Sequence, residues 1–298
     1  MTTLQPAREA IHMITQWAMT HDPIRAVLLT STRALPDSQV DVLSDYDVIL
    51  TVQDIHPFVT DRSWLNDFGE VLITYWDAIY PDPVFGIDKC SNVTQYCDGL
   101  KLDFTLWPVG LLQRIVAAPV LPAELDAGYQ VLLDKDHLTA GMHPATGRAY
   151  VPKQPTLATY QTLINDFLSD APYVAKCLWR NELMPAKWCL DYDMKHIYLR
   201  QMLEWRLEID CNWSVPVGAL GKGLRKRLPS VLWTAVEQTY VGARIADNWK
   251  ALMCTMVLFR QVSMEVGDYF GYTYPDELHH RVGAYLEHIR QLGNPPQH

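Results

Sequence analysis

Residues 137–155 carry Gly141, Pro144, Gly147, Pro152 and Pro155 within nineteen positions. Proline removes a backbone donor and glycine frees the backbone, so neither helix nor strand crosses such a stretch easily. The chain has a different side-chain period on either side of it. Before it, short apolar runs alternate with turn signals; after it, apolar residues recur every three or four positions, as in helices packed on one face. No single sheet and no single bundle satisfies both patterns. We therefore expect an α+β chain: an N-terminal domain over 1–136 with a small mixed sheet flanked by helices, a linker over 137–155, and a C-terminal helical bundle over 156–298.

In the first part, 25–30 and 45–52 read as buried strands, and 93–97 and 100–107 flank Asp98-Gly99, a two-residue hairpin signal. A strand over 129–133 ends in the turn Asp134-Lys135-Asp136. Helical periodicity covers 7–19 and, more weakly, 60–68. In the second part, helices are expected over 156–180, 185–209, 230–240, 242–266 and 275–292. Pro185 and Pro275 stand at helix starts, where a missing N–H has no partner to lose.

The formal net charge of −9 opposes a general affinity for nucleic acid, because phosphate neutralisation needs clustered lysine and arginine. Acidity suits a cationic small-molecule partner. No apolar run is long enough to span a membrane, and residues 1–6 lack the basic-then-apolar start of a secretion signal. The six cysteines show neither CxxC spacing nor partnering histidines. They read as reduced thiols of a cytoplasmic protein, a monomer or small homo-oligomer, rather than as a zinc site.

Chemistry enters with Ser44-Asp45-Tyr46-Asp47-Val48, which opens the second strand. Strand side chains alternate, so Asp45 and Asp47 share a face about 7 Å apart. Two carboxylates that close need a cation between them, and Mg2+ held together with substrate phosphates is the usual answer. Upstream, the first strand ends in Ser31-Thr32-Arg33, small hydroxyl residues able to approach a phosphate, followed by a cation. Downstream, Asp103 shares a strand face with Lys101 and Thr105, while Leu102, Phe104 and Leu106 take the other. Three strands can thus bring a phosphate-holding turn, two metal-binding acids and a third acid to one end of a sheet. A plain ion pair between Asp103 and Lys101 is the competing reading of that face.

This constellation resembles the nucleotidyltransferase fold of the DNA polymerase beta superfamily, with residues 33–44 separating the Ser31-Thr32 turn from the Asp-x-Asp strand. Within that superfamily the chain resembles the aminoglycoside 6-adenylyltransferase (streptomycin adenylyltransferase) family. The first part shares Arg33-Ala34, Leu43-Ser44-Asp45-Tyr46-Asp47-Val48, Trp64-Leu65-x-x-Phe68-Gly69 and Lys101-Leu102-Asp103-Phe104-Thr105-Leu106. The second part shares Tyr173-Val174-Ala175-Lys176-Cys177-Leu178-Trp179-Arg180-Asn181-Glu182-Leu183, Ala186-Lys187-Trp188, Met202-Leu203-Glu204-Trp205 and Gly271-Tyr272-x-Tyr274-Pro275. The likeness spans about 25–292. One position departs: where the family's turn usually reads Gly-Ser-Arg, this chain has Ser31-Thr32-Arg33, so either the Ser31 hydroxyl takes over part of the phosphate contact or nucleotide binding weakens.

The resemblance implies transfer of AMP from MgATP to a hydroxyl of a streptomycin-like aminoglycoside, with release of pyrophosphate. Asp45 and Asp47 would be the Mg2+ ligands, and Asp103 would complete the metal site or act as general base. Ser31, Thr32 and Arg33 would meet the phosphates. A lysine from the helical domain, Lys187 first and Lys176 second, would face the triphosphate. A cationic acceptor needs carboxylates and aromatic faces. Glu182, with Trp179 one turn earlier on the same helix, is the first such pair, and Asp191 and Asp193 follow. Two alternatives use the same residues: a nucleotidyltransferase acting on another small alcohol or a protein hydroxyl, and a nucleotide-binding protein whose catalysis has lapsed. Residues 221–227 read as a solvated basic connector rather than a phosphate loop, since no hydroxyl follows the Gly-Lys pair. His279-His280 reads as exposed helix.

Overall fold

A computed structural model describes residues 7–35 and 40–293. The hexapeptide read above for a secretion signal and residues 36–39 of the turn-to-strand gap lie outside them. The chain divides into two compact units, Met1–Ala149 and Tyr150–His298.

The first unit runs α1 (Ala7–Thr20), β1 (Ile24–Thr30), β2 (Tyr46–Val52), α2 (His56–Thr60), β3 (Val71–Trp76), β4 (Tyr80–Pro81), β5 (Asp88–Tyr96), β6 (Lys101–Pro108), α3 (Val109–Ala117), α4 (Ala123–Asp126) and β7 (Tyr129–Asp134). Its sheet has the order β3-β5-β6-β2-β1-β7, with β4 on β5. β2 and β6 run parallel and the other pairs antiparallel, so the sheet is mixed as expected. Parallel neighbours need a long crossover, and the chain between β2 and β6 supplies it.

Side-chain alternation splits the sheet's interior into two cores. Val48, Leu50, Leu102, Phe104 and Leu106 join Ile14 and Trp17 of α1 in one; Ile49, Trp107 and Leu28 join Leu111, Leu112 and Ile115 of α3 in the other. The family-like run at 64–69 fixes the first core. It forms a 3-10 turn, Ser63–Phe68, that buries Trp64, Leu65 and Phe68. The Trp64 indole donates to the Phe58 carbonyl at 3.0 Å, and its ring meets Phe104 at 5.1 Å between centroids. Gly69 closes the turn at φ +140°, a conformation that side chains rarely adopt, with the Tyr96 ring 3.4 Å from where a Cβ would sit. β3 and α3 were not anticipated, and the helix expected over 60–68 is α2 followed by this turn.

The second unit is helical: α5 (Leu157–Trp179), α6 (Leu183–Lys187), a π-helical stretch (Trp188–Leu199), α7 (Arg200–Asp210), α8 (Leu224–Arg227), α9 (Ser230–Thr239), α10 (Ile245–Phe270) and α11 (Asp276–Gln291). Thr156 begins α5 with a capping box shared with Thr159, which satisfies donors that the first turn leaves open. The helix expected from Pro185 begins at Leu183 and changes to π geometry within the span foreseen as regular. His279 departs from the exposed reading. It is buried, and its Nδ1 lies 2.9 Å from the Tyr274 hydroxyl, while His280 is exposed. Among the described residues no helix is long and apolar enough to cross a membrane.

Candidate active site

Register builds the site. β1 pairs Thr30 with Asp47, and β2 pairs Asp47 with Asp103, so the three residues stand in a row across adjacent strands. Asp45 precedes β2 by one residue, and Lys101 opens β6. The Lys101 ammonium donates to Asp45 and, at 2.9 Å, to Asp103. The ion pair foreseen between Lys101 and Asp103 therefore exists, but it is part of a larger group that includes all three acids. The sequence reading paired Lys101 with Asp103, two residues away on one strand face, and did not foresee its bond to Asp45.

The chain leaves β1 through a 3-10 turn, Ser31–Ala34. Ser31 sits at φ +61°, in the left-handed region that costs a non-glycine residue about 1–2 kcal/mol. Its hydroxyl hydrogen-bonds the Asp47 carboxylate. The departure from glycine thus has an occupation that neither sequence alternative named: the hydroxyl serves the acid. Arg33 has contacts that the sequence reading did not name. Its guanidinium donates to the Ser44 carbonyl at 2.7 Å and to the Asp45 carbonyl at 3.0 Å, and it covers the Tyr46 ring at 3.9 Å. Arg33 positions the strand entry that carries the acids. Thr32 is half-buried in the same turn.

Electrostatics set the character of the site. Burial pushes the Asp47 carboxyl above its ordinary range, Asp103 and Asp45 add to the rise, and Ser31 and Lys101 oppose it. Burial likewise raises Asp103, against the pull of Lys101. Lys101 itself is lowered by burial, but its bonds to Asp45 and Asp103 outweigh that and hold it above its usual value. Three carboxylates around one ammonium leave an excess of two negative charges when all are ionised. Asp103 Oδ1 is buried with no hydrogen-bond partner. Hard oxygen donors with that charge excess are the chemistry a divalent cation of the Mg2+ kind takes, although the ligand atoms of these three acids do not all lie within 4.8 Å of one another.

The helical unit holds the remaining expected residues. Lys187 is occupied by Asp191 at 2.6 Å and the Val241 carbonyl at 2.9 Å. Asp191 is also bound by Lys195 at 2.6 Å, so it is not a free carboxylate. Lys176 and Glu182 are exposed. Trp179 and Glu182 do not share a helix, because α5 ends at Trp179 and Glu182 caps the next one; the Trp179 indole donates to the Gly293 carbonyl at 2.8 Å. A grouping that sequence reading did not find lies on α5 and the π-helical stretch. Donor atoms of Asp170, Cys189 and Asp193 lie within 4.8 Å of one another. Burial and then Asp193 raise the Asp170 carboxyl, and burial pushes the Cys189 thiol up to about 12.

A mixed sheet with three clustered carboxylates beside a hydroxyl-bearing turn is the apparatus of a nucleotidyltransferase, and comparison with known proteins agrees. The sequence model of the streptomycin adenylyltransferase family matches residues 4–289. The chain belongs to that family and is a nucleotidyltransferase. Similar curated proteins are the aminoglycoside 6-adenylyltransferase of Bacillus subtilis (strain 168), 28% identical over 92% of this chain and 94% of its own, and that of Campylobacter jejuni, 27% identical over 91% and 92%. The Staphylococcus aureus enzyme of the same name is 24% identical over 92% and 95%. A solved aminoglycoside 6-adenyltransferase from Bacillus subtilis is 25% identical, covering 97% of this chain and all of its own, with a TM-score of 0.45.

Proposed function

We propose that this chain transfers AMP from ATP to a hydroxyl of a streptomycin-like aminoglycoside, releasing pyrophosphate. The observation that carries the reading is the row Asp47–Asp103 with Asp45 beside it, two negative charges in excess of its lysine. Asp45 and Asp47 are the residues to hold Mg2+, which when bound offsets charge on the triphosphate and on the departing pyrophosphate. Asp103 is the base. Its carboxylate accepts the proton of the acceptor hydroxyl as that oxygen bonds the α-phosphorus and the α–β bridging P–O bond breaks. A raised carboxyl pKa suits this task, since a base nearer neutrality takes a proton more readily. Ser31 and Lys101 orient the acids through their hydrogen bonds.

The helical unit is assigned to the acceptor. With Asp191 engaged by two lysines, Asp170 and Asp193 offer the carboxylates for ammonium or guanidinium groups; the groups acting on Asp170 are acids, a tyrosine and a cysteine. The reaction belongs in the cytoplasm, where ATP is available and six free thiols stay reduced. Mass spectrometry of streptomycin after incubation with the protein and MgATP tests the reading. The expected product carries one added adenylyl group, and unmodified streptomycin would overturn the acceptor assignment.

A further inference from the structure

The π-helical stretch presents a row of aromatic rings to solvent. Trp188 is 67% exposed and Tyr192, four residues on, 47%. Their ring centroids lie 5.2 Å apart, and Tyr192 stacks in turn on His196 at 5.8 Å. Among the described residues the cation–ring contacts fall on other rings, so Trp188 and Tyr192 hold no cation of the protein's own. A contiguous exposed apolar surface marks a binding site where a single exposed residue does not. π geometry is itself rare and gathers at functional sites.

The acids next to this row lack a counter-charge as well. Cys189 and Asp193 each follow one of the two rings in the chain, so they occupy the neighbouring stripe of the same helix. Their donor atoms and that of Asp170 on α5 lie within 4.8 Å of one another. The ion pairs of the described residues in this unit involve neither Asp170 nor Asp193. Burial and then Asp193 raise the Asp170 carboxyl, while the Tyr198 hydroxyl donates to it and opposes the rise. Tyr173, one turn beyond Asp170 on α5 and 50% exposed, adds a third ring; its hydroxyl is bonded to Cys177 and lies near Cys189.

Open ring faces beside uncompensated carboxylates call for a cation, and the combination distinguishes between two kinds. An ammonium is a compact, strongly hydrated point charge that a carboxylate alone can satisfy. A guanidinium is flat and weakly hydrated: its plane lies on an aromatic face while its fork of N–H groups meets carboxylates two at a time. Carboxylates as close as those of Asp170 and Asp193 can share one such group.

We propose that Trp188 and Tyr192 are specificity-determining residues: with Asp170 and Asp193 they form a subsite that takes a guanidinium group of the acceptor flat against the rings and prefers it to an ammonium. The inference rests on the acceptor reading given above and adds to it the rings that do the selecting.

Calorimetric titration of the whole protein, without nucleotide, compares streptidine with streptamine, the same ring carrying ammonium groups in place of guanidinium groups. Streptidine should bind saturably at one site, and streptamine about tenfold or more weakly. Trp188→Ala should weaken streptidine about tenfold, and Trp188→Phe, which keeps a ring, should regain most of the loss. Position 188 is exposed, so both variants should keep the wild-type melting curve. Equal binding of the two probes, no saturable binding of either, or undiminished streptidine affinity in Trp188→Ala would overturn the subsite. A loss in Trp188→Ala confined to a parallel MgATP titration would overturn it too, by making the row a nucleobase platform. The titration needs no turnover, so the two readings fail separately. Streptidine binding in the expected pattern without adenylyl transfer would overturn the transfer reaction alone, whereas transfer to streptomycin with an unchanged KM in Trp188→Ala would overturn the subsite alone.

Discussion

Single residues show where sequence and structure part company. Asp45, Asp47 and Asp103 were legible because strand period and spacing are local. The pair Lys101–Asp103 was legible for the same reason, whereas the bonds of Lys101 to Asp45 and of Arg33 to the Ser44 and Asp45 carbonyls were not, because they join segments distant in sequence. Asp47 titrates above its ordinary range, so the folded state holds its proton more tightly than the unfolded chain. Ionised Asp47 therefore costs stability at neutral pH, and the cost fades as the pH falls toward the ordinary carboxylate range. Asp47→Asn should abolish adenylyl transfer while raising Tm of the metal-free protein at pH 7.5, an advantage that shrinks near pH 4. A lower Tm at pH 7.5 would refute this account of the site. Ser31→Ala removes a hydrogen bond that lowers the Asp47 pKa, so the acid limb of kcat/KM should move to higher pH; an unmoved limb means that Ser31 does not act on Asp47. Asp193→Asn should raise KM for streptomycin with kcat nearly unchanged, read by steady-state kinetics, if Asp193 meets the acceptor.

Elements decide how accurately those residues are held. The parallel pairing of β2 with β6 sets Asp47 beside Asp103, and a one-residue slip would turn either acid to the opposite face. That register is anchored next to the acid by Phe104, fully buried against Trp64 and Phe68. Phe104→Ala should cost about 3–5 kcal/mol in denaturant unfolding, and at temperatures where it remains folded it should lower kcat more than a distant core truncation of equal cost. The strands of this core and the long helices of the second unit were readable from apolar period. β3 was not, because an edge strand with exposed faces leaves no burial pattern; Leu72, Ile73 and Tyr75 are all exposed. The π-helical stretch was equally hidden, since its apolar spacing does not distinguish i+5 from i+4 hydrogen bonding.

For the whole molecule, the site's charge is a stability variable. Lys101 is now the only cation bonded to Asp45 and Asp103 among the described residues. Lys101→Met should lower Tm of the metal-free protein at neutral pH. Because ligand binding stabilises by RT ln(1 + [L]/Kd), Mg2+ should then restore more Tm to the variant than it adds to the wild type, and chelation should reverse the gain. An equal Mg2+ effect on both proteins would remove Lys101 from the metal site's electrostatics. The amino-acid sequence alone determined the change of period across 137–155, the strands and helices with a buried face, the three acids and the family. These are properties of neighbours along the chain, where side-chain period and turn chemistry act. Only the tertiary structure decided that Ser31 bonds Asp47, that Arg33 holds the strand entry, that Lys101 joins the acids and that two lysines occupy Asp191. Each of those contacts depends on how packing, burial and charge place side chains in space, and residue spacing does not encode that outcome.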